Sequence, residues 1–182
     1  SDRCLAVDEK GKLIDGDKLI AIFAKELKRL GQLNGNTAVV TVMTNIGFKK
    51  FARENDIDIA ETGVGDRYVL ENMLKNDYSI GGEQSGHIIF KKYATTGDGQ
   101  LSGLQFAAAM ARTGKKASTL ASVMTSYPQV LVNVTVTNDK KELIKTDDDI
   151  KNAIKAAENQ LGDNGRILVR ASGTEPLIRV MI

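Results

Sequence analysis

The sequence predicts an α/β protein in which a helix-covered, mixed sheet is followed by a small α+β module. Three observations carry that expectation. Short β-branched apolar runs alternate with stretches of helical apolar spacing up to about residue 127, the pattern of a largely parallel sheet. Proline at 128 pushes Tyr127 out of helical space and marks a boundary. Beyond it the order becomes a strand, a helix and a strand pair.

The elements follow in order. Cys4 to Val7 reads as a strand and Asp8-Glu9-Lys10-Gly11 as a turn. A helix opened by Asp17 carries Leu19, Ile20, Ile22, Phe23, Leu27 and Leu30 at helical spacing, and Gly31 stops it. Thr37 to Met43 is β-branched enough for a buried strand, and a short helix runs to about Asn55. The unit recurs as a strand from Ile57 to Ala60, a glycine loop from Gly63 to Arg67 and a helix from Tyr68 to Lys75. Ser79 to Gly82 and His87 to Phe90 flank a further glycine-rich loop as strands. Helices then span Leu101 to Arg112 and Ser118 to about Ser126. In the second module, Gln129 to Thr137 alternates valines with Leu131, Asn133 and Thr135, which predicts one buried face. Asp147 to Leu161 is an amphipathic helix stopped by Gly162, and Arg166–Arg170 and Leu177–Ile182 are strands. The domain reading is 1–13, 14–127 and 128–182, with no internal repeat.

Composition narrows the function. With 42% hydrophobic and 26% charged residues, the 182-residue chain has the make-up of a soluble globular protein. A net charge of +2 without a lysine run argues against a nucleic-acid partner. Cys4, the single cysteine, excludes an intrachain disulfide and a cysteine-built metal cluster, in keeping with a reducing cytoplasm. No stretch approaches the ~20 apolar residues of a membrane span, and the chain opens on a strand, as a piece of something longer would.

Two loops concentrate the chemistry. Gly81-Gly82-Glu83-Gln84-Ser85-Gly86-His87 sets an acid, a hydroxyl and the only imidazole at alternate positions, which an extended segment would point to one side. Its glycines allow close backbone approach to a ligand. The same residues also fit a glycine turn with a solvated acid and a packed histidine. In the second module, Arg170, Ser172, Gly173, Thr174 and Arg179 gather two cations, two hydroxyls and an open amide, a set suited to a phosphate. A tight hairpin with self-satisfied hydroxyls is the other possibility. Neither a Walker loop nor a dinucleotide fingerprint occurs. Asp66 and Arg67 follow a glycine loop, where they would contact a sugar or phosphate or pair at the surface. Asp98 has the position of a helix cap. His87 suits general acid or base work, and as a lone histidine it builds no zinc site.

Taken together, Ser1-Asp2-Arg3, Gly82-Glu83-Gln84-Ser85-Gly86-His87, Thr95-Thr96-Gly97-Asp98-Gly99 and Arg170-Ala171-Ser172-Gly173-Thr174-Glu175-Pro176 resemble the α-D-phosphohexomutase family. The likeness runs along nearly the whole chain in the family's order, and the two loop sequences are nearest the branch acting on glucosamine phosphates. It implies the tail of the family's second domain, its sugar-binding third domain and its phosphate-binding fourth. The implied reaction interconverts glucosamine 6-phosphate and glucosamine 1-phosphate through a phosphoserine and a bisphosphate. Mannose or glucose phosphates, or a binding module without catalysis, remain as alternatives.

The resemblance also implies roles. Glu83, Ser85, Asp66 and Arg67 would read the hexosamine phosphate, His87 and Arg3 would act in catalysis, and Arg170, Ser172, Gly173, Thr174 and Arg179 would grip phosphate. Asp2 falls on the last aspartate of the family's magnesium loop, so Mg2+ is the implied metal. The remaining aspartates and the phosphoserine would come from N-terminal domains of the same protein, without which the chain would be inactive.

Overall fold

The computed structural model describes residues 2–162, 165–173 and 175–182. The chain divides into two compact units, Ser1–Ser126 and Tyr127–Ile182.

The first unit begins with a hairpin, β1 (Ala6–Val7) and β2 (Leu13–Ile14). Asp8 makes its turn: the carboxylate accepts from the Lys10 and Lys12 amides at 2.8 and 2.9 Å. Helix α1 (Gly16–Arg29) follows, and its opening corrects the sequence reading. Asp15 is the cap, accepting from the Lys18 amide at 3.0 Å. Asp17 lies within the first turn, fully buried, and accepts from the Asn45 amide at 2.7 Å, tying α1 to the start of the next helix.

Strand β3 (Thr37–Thr41) is buried along its whole length, because both of its faces are covered. Around it come α2 (Ile46–Glu54), β4 (Asp58–Thr62), α3 (Asp66–Asn76), β5 (Ile80–Gly82) and β6 (Ile88–Phe90). Among the described residues the sheet order is β4-β3-β5-β6, with β3 parallel to β4 and β5, and β6 antiparallel to β5. Alternation along β3 divides the core. Ala38 and Val40 join the larger cluster with Leu19, Phe23, Phe48 and Phe51, whereas Val39 packs with Val69 and Met73 of α3 on the other face. The unit ends with α4 (Gly99–Thr113), capped by Asp98 through the Leu101 amide at 2.9 Å, and α5 (Ala117–Ala121), shorter than the sequence predicts.

In the second unit, β7 (Leu131–Thr135) is followed by a 3-10 turn (Asn138–Glu142) and α6 (Leu143–Thr146), neither foreseen. Then come α7 (Asp148–Leu161), β8 (Leu168–Ala171) and β9 (Leu177–Met181), with strand order β7-β9-β8, all antiparallel. The expected buried face of β7 is absent: Val132 and Val134 remain 50% and 44% exposed. A unit this small encloses little interior, and β7 lies at the sheet's edge. Among its described residues, Met181, 5% exposed, is the sole buried apolar side chain. No described helix is long and apolar enough to cross a membrane.

Candidate functional site

The turn between β5 and β6 is tight rather than extended, so strand alternation does not arrange its side chains. The Gly86 amide donates to the Glu83 carbonyl and the Glu83 amide to the His87 carbonyl, both at 3.0 Å. Gly86 has φ +91°, and a β-carbon there would sit 2.3 Å from the Cys4 carbonyl oxygen, so glycine is required. Glu83 and His87 are instead brought together as facing partners across the hairpin, which places them on one face. Ser85 is at the exposed tip.

Neighbouring elements hold this hairpin in place. The Cys4 amide donates to the Gly86 carbonyl at 2.9 Å, and the Gly16 amide at the start of α1 donates to the Gln84 carbonyl at 3.0 Å. Arg3 pairs with His87 in an isolated antiparallel bridge. Glu83 Oε1 accepts from the Gly65 amide, which caps α3, at 3.0 Å. Burial pushes the neighbouring Cys4 thiol up from its ordinary value, so it keeps little thiolate.

His87 is only 5% exposed, and its Nε2 lies 3.8 Å from Asp2 Oδ2 and 3.7 Å from Asp66 Oδ2. These distances exceed a hydrogen bond, so the carboxylates act on the imidazole as charges. Nδ1 is buried with no hydrogen-bond partner among the described residues. Asp66 and Arg67 belong to the first turn of α3, not to a loop, and they part company there. Asp66 faces His87, whereas Arg67 Nε pairs with Glu71 Oε1 at 2.7 Å on the exposed side of the helix. The structure therefore unites Asp2, Asp66, Glu83 and His87 and does not bring the Arg67 guanidinium to them.

Asp2 is well exposed and has the chemistry of a magnesium ligand. Among the described residues, however, no three His, Cys, Asp or Glu side chains gather closely enough to hold an ion, so they do not make a magnesium site by themselves.

In the second unit Arg170 of β8 and Arg179 of β9 are cross-strand partners. Like charges directly opposite one another are destabilising, which an anion between them would reverse. Arg179 also pairs with Glu175, which an incoming phosphate would have to displace. Ser172 is 5% exposed; its Oγ accepts from the Glu175 amide at 3.2 Å and retains a proton to donate. Gly173 is open, and Thr174 lies outside the described residues. Sequence reasoning missed Lys141, whose ammonium donates to the Ser172 carbonyl at 2.8 Å. Its one sequence trace, the pair Lys140-Lys141, has no apolar period around it.

A family model described as phosphoglucomutase/phosphomannomutase, alpha/beta/alpha domain III, matches residues 15–127, and one for the C-terminal domain matches 131–182. The chain belongs to this family. Among curated proteins, it is 55% identical over all 182 residues to a phosphoglucosamine mutase of Clostridium botulinum (strain Kyoto / Type A2). It is 56% identical to that of Caldanaerobacter subterraneus subsp. tengcongensis, again over its whole length. It spans 40% and 41% of those relatives. An N-acetylglucosamine-phosphate mutase solved in a product complex shares the fold with a TM-score of 0.78 at 25% identity, over 100% of this chain and 43% of that one. The Aspergillus fumigatus N-acetylphosphoglucosamine mutase, solved with GlcNAc-6P and magnesium, gives 0.77 at 20% identity, over 97% and 45%.

Proposed function

We propose that this chain is the sugar- and phosphate-recognising C-terminal part of a phosphosugar mutase that interconverts glucosamine 6-phosphate and glucosamine 1-phosphate. The observation that carries the reading is its likeness, along its full length, to proteins named phosphoglucosamine mutase. The geometry supports a division of labour. The hairpin unit supplies Glu83 and Ser85 as partners for sugar hydroxyls, with Asp66 beside them; Arg67 is assigned only an outer electrostatic part. The second unit supplies Arg170, Ser172, Gly173, Thr174, Arg179 and, we add, Lys141 as the grip on the phosphate that is not reacting.

In the proposed reaction a phosphoryl group leaves a serine oxygen, supplied from outside this chain, for the free sugar hydroxyl. The serine O–P bond breaks, a sugar O–P bond forms, and the hydroxyl proton departs. The bisphosphate then returns its other phosphoryl group to the serine by the reverse exchange. His87 takes and gives back that proton, with the Asp2 and Asp66 carboxylates 3.8 and 3.7 Å from its Nε2. Arg3 holds the hairpin through its bridge to His87. Magnesium, for which Asp2 would be one ligand, would offset charge during transfer. By itself the chain is inactive; in a cytoplasmic protein of the relatives' length it serves the supply of cell-wall precursors.

Kinetics of the full-length protein test the reading. Arg170→Ala raises KM and lowers kcat, because the same grip serves both orientations of the substrate. Unchanged kinetics would remove the phosphate role, and turnover by the 182-residue chain alone would remove the claim of inactivity.

A further inference from the structure

The imidazole of His87 rests on the backbone of Gly97, in the turn that leads into α4. A β-carbon at position 97 would lie 2.4 Å from His87 Nε2 and 2.6 Å from both Cδ2 and Cε1. Real β-carbons do not approach other atoms so closely, so any side chain here would claim the space of the ring edge that faces Asp2 and Asp66.

Neither partner has room to yield. The backbone of His87 is fixed by the Glu83 amide, by the bridge to Arg3 and by β6 beginning at Ile88. The Gly97 turn is fixed by Asp98, whose amide donates to the Ile88 carbonyl at 3.4 Å and whose carboxylate caps α4. Relief must therefore come from rotation of the imidazole. Functional imidazoles are usually oriented by a hydrogen bond at the nitrogen not used in chemistry. Nδ1 has no such partner among the described residues.

We propose that Gly97 is a positioning residue, whose bare α-carbon forms the floor that sets the plane of the His87 ring. The inference rests on the reading of His87 as the group that moves the proton. Gly97 touches no reacting atom and acts through the ring alone.

The test is a double-mutant cycle in the full-length protein, with spectroscopy on the same variants. Gly97→Ala should lower kcat by about tenfold to a hundredfold, the range for a displaced catalytic group, while leaving KM nearly constant. His87→Ala should lose at least as much, and the double variant no more than His87→Ala alone, because the floor has nothing left to position. Gly103→Ala, in open space on α4, serves as the control with unchanged turnover. The Cε1–H resonance of His87, assigned in a histidine-labelled full-length sample by its loss in His87→Ala, should move in Gly97→Ala and stay put in Gly103→Ala. If Gly97→Ala folds poorly, adding His87→Ala should raise its melting temperature by several degrees, since removing the ring removes the clash.

Full additivity of the two losses, an unmoved imidazole resonance, or no rescue of folding would each overturn the proposal. Retention of full kcat by His87→Ala would instead overturn the proton-transfer reading on which it rests.

Discussion

Glu26 of α1, its side chain only 10% exposed, holds two arginines at once. Arg29 donates through Nε and Nη2 at 2.9 Å each, and Arg112 of α4 through Nε at 2.8 Å. The Arg29 bonds above all, with Arg112 assisting against the opposing effect of burial, hold the Glu26 carboxyl down at about 2, against an ordinary value of 4.5. A depressed carboxylate contributes its stability above the ordinary value and loses it as the proton binds to the folded state. The first unit should therefore lose stability as pH falls from 4.5 toward 2, and Glu26→Gln should be less stable at neutral pH but flatter across that window. Acid titration of the melting temperature of both proteins checks this; parallel curves would discard it. At this scale the sequence was a partial guide. Asp15 and Asp17 both look like helix openers, and only the fold determines which acid meets a free amide and which is drawn inward to Asn45. Asp98 was readable as a cap because glycines isolate it ahead of a clear helix. Arg67 was not readable, because its pairing with Glu71 depends on the helix beginning at Asp66.

Element by element, the strands and long helices were legible wherever an apolar period ran through them, as in α1 and β3. The 3-10 turn at Asn138–Glu142 and α6 were not, because that stretch is charged and aperiodic and leans on its tertiary setting. The hairpin carrying Glu83 and His87 was legible in composition but not in conformation: alternation assumes an extended chain, and three glycines allowed a turn instead. Its support from α4 can be tested apart from the chemistry. Asp98→Ala removes the cap of α4 and should cost about 1 kcal/mol in denaturant unfolding, with the unfolding slope unchanged. A loss within error of zero would mean that the helix end is satisfied by other means.

The two units differ in the interior they own. The first surrounds β3 with buried side chains on both faces, whereas the second exposes both faces of β7 and buries none of α7. Amide hydrogen exchange should find the strongest protection in β3 and its neighbours, with the amides of β7 and α7 exchanging orders of magnitude faster. Equal protection in the two units would contradict this ranking. The alternation that gave the α/β class away in the sequence comes from the first unit, where burial enforces a pattern. The valine alternation of β7 promised the same, but a short edge strand in a small unit has too little covering to honour it.

The hairpin turn is gripped at the backbone: Cys4 and Gly16 amides bond to the carbonyls of Gly86 and Gln84, and Glu83 bonds across to His87. Such a clamp is indifferent to the side chain at the exposed tip, Ser85, and intolerant of length. On the sugar-binding reading proposed above, directed evolution of ligand preference should therefore succeed through exchanges at position 85, while libraries that insert or delete a residue between Gly82 and His87 should return few folded clones. The route by which this surface can acquire a new ligand is substitution on a fixed frame.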